Sequence, residues 1–177
     1  MMSYLTRMTC AGLVLFFAAT LHVSAEIATN SAPKSYQIRN VKYADLLRPE
    51  DANNANGTRI VLYPAQPWKC MTWKLLPAGD DTFHVRNHFT SKTFDGATTN
   101  DASPVVQMPF GKDASARPAW RFIKLSDGTY EIADPKTGRV LTAEKDGGSA
   151  KIALEPWHEQ LEQKWELIET DPATLTM

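Results

Sequence analysis

The sequence predicts an all-β fold of three four-stranded units closed around a pseudo-threefold axis, and three observations lead to it. First, the phrase Trp73-Lys-Leu-Leu returns as Trp120-Arg-Phe-Ile and as Trp165-Glu-Leu-Ile, at steps of 47 and 45 residues. Second, apolar residues alternate with polar ones over short runs, the period of a strand with one buried face. Third, turn signals punctuate those runs, and eleven prolines in 177 residues oppose long helices.

Residues 1–25 read as a secretory signal, with Arg7 as its positive start, Ala11 to Leu21 as its apolar run and Val23-Ser24-Ala25 as its cleavage site. Residues 26–35 are polar and pattern-free, the expectation for a flexible arm. The repeats fill residues 36–170, and residues 171–177 form a short tail expected to be loose.

The first strand of each unit is Tyr36-Gln-Ile-Arg-Asn40, Phe83-His-Val-Arg-Asn87 or Tyr130-Glu-Ile-Ala-Asp134. The second centres on Leu47, Phe94 or Leu141. The third is Ile60-Val-Leu-Tyr-Pro64, Val105-Val-Gln-Met-Pro109 or Ile152-Ala-Leu-Glu-Pro156, closed each time by proline. The tryptophan phrase supplies the fourth. Four landmarks in one order, three times over, mark a true repeat. Asn56-Gly57, Gly79-Asp80, Asp95-Gly96, Asp127-Gly128, Thr137-Gly138 and Asp146-Gly147-Gly148 mark turns. His158 to Gln163 is the single stretch expected to wind into a helical turn. A unit of this size cannot bury its own apolar face, so three share one core, and closure leaves no open sheet edge.

Composition narrows the function. After residue 25 the chain carries 18 Lys and Arg against 20 Asp and Glu, which gives no basic field for nucleic acid or an acidic membrane. No later stretch approaches the roughly 20 apolar residues of a membrane span. Cys70 alone survives cleavage, so no disulfide forms within the chain, and it reads as a small buried hydrophobe. His84 and His88 have the spacing of a helical metal pair but stand in a strand and turn, so no metal site is expected. No nucleophile elbow, phosphate loop or acid–base pair is present, and neither an enzyme nor a cofactor is expected. Asn56-Gly57-Thr58 is both an N-glycosylation acceptor and an ordinary turn.

The third unit carries a family resemblance. Asp127-Gly-Thr-Tyr-Glu-Ile-Ala-Asp-Pro-Lys-Thr-Gly-Arg-Val-Leu141, then Ala150-Lys-Ile-Ala-Leu154, then Gln163-Lys-Trp165-Glu-Leu167 resembles the ricin-type (ricin B-like) lectin repeat of β-trefoil proteins. The closing Gln-x-Trp departs in the other units, where Met71 and Pro118 replace the glutamine. The resemblance implies a β-trefoil and a secreted or periplasmic carbohydrate-binding protein without catalysis. It further implies a carboxylate after the second strand, a ring before the proline of the third, and a polar group ahead of Gln-x-Trp. Those positions read Arg48, Asp95 and Thr142, then Tyr63, Met108 and Glu155, then Cys70, Arg117 and Glu162.

No unit holds the whole set. The carbohydrate-binding candidates are therefore Asp95 as acceptor, with Tyr63, Phe110 and Trp157 as stacking rings. Three of them have a plainer reading: Asp95 as a turn residue, Tyr63 as a surface or interface ring, and Trp157, like Trp68, as a loop plug. The partner implied is a carbohydrate or glycoconjugate. The alternative is a degenerate trefoil that binds protein, similar to the cell-binding subunits of cytolethal distending toxins. A trefoil protease inhibitor ranks below both.

Overall fold

The computed structural model describes residues 33–96, 104–145 and 150–176. The signal segment, most of the arm and the Asp146-Gly147-Gly148 turn lie outside the described residues. Among the described residues twelve strands run in chain order, four to a unit. Unit one holds β1 (Ser35–Asn40), β2 (Leu46–Pro49), β3 (Ile60–Tyr63) and β4 (Thr72–Gly79). Unit two holds β5 (Thr82–Asn87), β6 (Thr93–Gly96), β7 (Val105–Met108) and β8 (Trp120–Lys124). Unit three holds β9 (Tyr130–Ala133), β10 (Val140–Glu144), β11 (Lys151–Glu155) and β12 (Trp165–Glu169).

The first and fourth strands of each unit make a closed ring. β1 pairs with β4, β4 with β5, β5 with β8, β8 with β9, β9 with β12 and β12 with β1, all antiparallel. The second and third strands make three hairpins, β2–β3, β6–β7 and β10–β11. Single bridges join these hairpins in a second circle: Arg59 to Val106, Pro104 to Ala153 and Lys151 to Val61. The expected β-trefoil is therefore present, a six-stranded barrel capped by a hairpin triplet.

Between barrel and cap lie Trp73, Trp120 and Trp165 with Leu47, Phe94 and Leu141, all fully buried. An aromatic of this size removes about 150–250 Å² from water, so each indole contributes roughly 4–6 kcal/mol before entropy. Two of the indoles are also anchored by a repeated hydrogen bond. Trp73 Nε1 donates to the Leu47 carbonyl at 2.9 Å and Trp165 Nε1 to the Leu141 carbonyl at 3.0 Å. The equivalent Trp120 Nε1 is buried without a partner among the described residues.

The turn after each first strand also repeats. Asn40 Oδ1 accepts from the amides of Lys42 and Tyr43, Asn87 Oδ1 from those of Phe89 and Thr90, and Asp134 Oδ1 from that of Lys136. Each such turn closes on a residue with positive φ, namely Ala44 at 57°, Ser91 at 58° and Gly138 at 70°. Only the third unit uses the residue that takes this conformation freely.

Three expectations need revision. Asp95-Gly96 is no turn: it belongs to β6, with Asp95 opposite Val106 and Gly96 opposite Val105. The glycine is needed for space, because a Cβ there would lie 2.4 Å from Leu154 Cδ1 of unit three. Short 3₁₀ turns form at 161–163, within the stretch expected to wind, and also at 50–52, 69–71, 114–116 and 172–174. Lastly, the C-terminal segment is not loose. Asp171 caps the turn at 172–174, Leu175 is buried, and Thr176 exchanges backbone bonds with Pro67 and Lys69.

Candidate functional site

Each unit presents the loop between its third and fourth strands beside the end of its second strand. The loop is fixed by a different device each time. In unit three the buried Gln163 amide accepts from the His158 amide at 2.7 Å and donates to the Pro156 carbonyl at 2.7 Å and to Thr142 Oγ1 at 3.1 Å. Trp157 stands between Pro156 and His158, half-buried, on backbone held from both sides. Thr142, at the acceptor position, is occupied by this same amide.

Pro118 replaces the glutamine in unit two, and Arg117 takes over. Its guanidinium donates to the carbonyls of Gly111 at 3.1 Å and Lys112 at 2.9 Å. It also lies 4.5 Å from the Phe110 ring centre, and Arg86 approaches the same ring at 5.4 Å. His84 meets Phe110 edge-on, with its Nδ1 3.0 Å from the Pro118 carbonyl. Phe110 is thus a half-buried ring among cations, supported by β5.

Asp95 is half-buried in β6. Its Oδ1 accepts from the Gly96 amide at 2.9 Å, and Oδ2 has no hydrogen-bond partner among the described residues. Burial pushes its pKa above the ordinary carboxylate value; the Gly96 amide and the Lys136 charge oppose the shift, and Asp134 adds to it. Asp95 thus feels charges from the β9–β10 turn, whereas Phe110 packs on His84 of β5. Beside them, Thr93 Oγ1 and Gln107 Oε1 are buried without partners among the described residues, as is Trp120 Nε1. Among the described residues, unit two concentrates the unsatisfied polar atoms, which cost stability where they stay buried.

Met71 replaces the glutamine in unit one, and the C-terminal segment does its work from outside the repeat. The Thr176 amide donates to the Pro67 carbonyl at 2.9 Å, and its carbonyl accepts from the Lys69 amide at 3.0 Å, which brackets Trp68. Gln37 Nε2 adds a bond to the Gln66 carbonyl at 2.9 Å. Trp68 stacks on Tyr63, with ring centres 5.9 Å apart. The Arg48 guanidinium lies 3.7 Å from the Tyr63 ring centre. Tyr63 is thus half-buried under a guanidinium and beside an indole, packed against Leu46, Cys70 and Met71. Burial raises the Cys70 thiol pKa against the pull of Arg48 and keeps it protonated.

The four sequence candidates therefore fall on three units and do not form one constellation. Two features were missed. At Arg48 the sequence shows a carboxylate position without its carboxylate; that the residue is a buried cation is signalled only by its place beside Leu46 and Leu47. The C-terminal clamp had none, because Thr176 and Pro67 are joined only through space.

Comparison with known proteins gives a family match over part of the chain and a fold. The model of the ricin-type beta-trefoil lectin domain-like family matches residues 23–108. A designed threefold-symmetric protein, ThreeFoil, superposes with a TM-score of 0.70 at 21% identity, over 77% of this chain and 99% of that one. The ricin B-like lectin of Macrolepiota procera, solved with lactose, gives 0.66 at 19% identity over 79% and 98%. A cytolethal distending toxin chain from Actinobacillus actinomycetemcomitans gives 0.63 at 14% identity over 76% and 90%. No curated protein sequence matches the chain.

Proposed function

We propose that this chain, which carries a ricin-type β-trefoil lectin-like domain, is an exported carbohydrate-binding protein without catalytic activity. Asp95 carries the reading. It is a half-buried carboxylate with one oxygen fixed by the Gly96 amide and the other free of protein donors among the described residues. An ionised carboxylate only accepts, so its open oxygen suits the hydroxyls of a sugar ring, and partial burial strengthens such bonds. Phe110 and Trp157 offer half-buried ring surface for the apolar face of a saccharide. Tyr63, already covered by Arg48, offers less.

The test is a glycan array on residues 26–177, followed by calorimetric titration with the neutral saccharide bound best. Binding should weaken about tenfold or more in Asp95→Ala, the loss of a charged hydrogen bond. Absence of binding by the parent chain, or undiminished binding by the variant, refutes the assignment. A second reading, a trefoil that docks on protein, draws support from the exposed Phe89, Ile123, Leu161 and Ile168. Stoichiometric co-purification of one partner, lost on replacing Phe89 or Leu161 by Ser, would favour it.

A further inference from the structure

We propose that unit one carries an oxyanion subsite centred on Arg48, which takes the carboxylate of an acidic saccharide such as a uronic acid. Arg48 occupies in β2 the repeat position that Asp95 occupies in β6, 47 residues on, so the charge at this position is inverted between the two units. Its side chain is only 9% exposed, yet a guanidinium has five donors. Among the described residues, none of them reaches a carbonyl or carboxylate within hydrogen-bond distance. Among those residues Nε is buried and unpartnered, and the acid paired with Nη2, Asp51 Oδ1, lies 3.9 Å away.

The neighbours explain why the fork is fixed and, among the described residues, only weakly satisfied. Tyr63 holds its plane from 3.7 Å, and Trp68 stacks on Tyr63 as a second wall. The Cys70 thiol, kept protonated by burial, meets one guanidinium donor but is a weak acceptor that leaves the others open. Glu50 is engaged elsewhere, accepting twice from Arg59 at 3.1 and 2.7 Å. Asp51 is 88% exposed, so it is a weak counter-ion at the solvent end of Nη2 that a ligand can displace. A buried cation with surplus donors selects an anion, and a planar fork selects a carboxylate that takes two parallel bonds. The sugar part of the ligand rests on the carbohydrate-binding reading above and on the adjacent rings.

Calorimetry on residues 26–177 with a glucuronate-terminated disaccharide, its glucose-terminated counterpart, a sulfated disaccharide and acetate tests this. The parent chain should prefer the uronate over the neutral sugar by roughly tenfold or more, the yield of one charge-assisted bond. Arg48→Gln should abolish that preference. Asp51→Asn, at an exposed position whose left-handed backbone (φ 52°) asparagine also accepts, should tighten uronate binding and leave neutral-sugar binding unchanged. Equal affinity for both sugars, or an unchanged uronate affinity in Asp51→Asn, overturns the subsite even if Arg48→Gln fails to fold. Preference for the sulfated sugar overturns the carboxylate, and acetate binding as tight as uronate overturns the saccharide. Asp95-dependent neutral binding without acid preference sinks only this subsite. Uronate binding through Arg48 without Asp95-dependent binding sinks only the Asp95 assignment.

Discussion

At the scale of single residues, function and stability pull Asp95 in opposite directions. Its pKa is raised by burial, so the folded chain holds this proton more tightly than the unfolded chain does. The stability it contributes is complete below the unfolded carboxylate range and is lost as pH rises through the raised folded value. Ionised Asp95 therefore opposes folding near neutrality, while the same ionised form is the one that accepts from a sugar. Asp95→Asn should lose sugar affinity about tenfold yet melt at pH 7 no lower than the parent. The advantage should vanish below pH ~4, where the parent carboxyl is protonated. Thermal melts across pH would show this, and a variant less stable at pH 7 contradicts it. The tryptophans give a second contrast. Trp73→Phe and Trp165→Phe each orphan a buried carbonyl, whereas Trp120→Phe removes an N–H that has no partner among the described residues. Denaturant titration should find Trp120→Phe about 1 kcal/mol milder than the other two.

At the scale of elements, the turn between first and second strands has one geometry and three sequences. Ala44 and Ser91 adopt the positive φ that Gly138 takes at no steric cost. A non-glycine residue there is strained by roughly 1–2 kcal/mol, and glycine's greater unfolded freedom returns part of the gain. Ala44→Gly should stabilise the domain by about 0.5–1 kcal/mol, visible as a rise in urea midpoint with unchanged slope. A lower midpoint would mean the Ala44 side chain is held by contacts that outweigh the strain. These turns show what the sequence made legible. The place of each of the twelve strands could be read, though not the full extent of β6, because period-two alternation and the repeated tryptophan are local signals. Asp95-Gly96 read as a turn because its glycine answers to Leu154, a neighbour from another unit. Arg48 read as a missing acid because the ring that holds it lies 15 residues away in chain and 3.7 Å away in space. Of the candidate site, residue types could be read and their neighbours could not.

For the whole molecule, closure decides. β1 meets β12 along five residue pairs, from Tyr36 opposite Glu169 to Asn40 opposite Trp165. Two ion pairs, Lys34 with Glu169 and Arg39 with Glu166, line the same seam. Exposed pairs of this kind contribute about 0–1 kcal/mol each, far less than burying Trp165, so the ladder and the indole hold the barrel shut. Salt should therefore change stability little. Removing β12 should be decisive, since it opens the edges of β1 and β9 and uncovers the core. A chain ending at residue 160 should show no cooperative thermal transition by circular dichroism, whereas the full domain melts in one step. The intact chain should also fold slowly, in milliseconds to seconds, because the seam joins strands at opposite ends of the sequence. Stopped-flow tryptophan fluorescence measures that rate. A cooperative melt in the shortened chain, or folding in microseconds, would mean the units are held by their own local contacts and not by the ring they close.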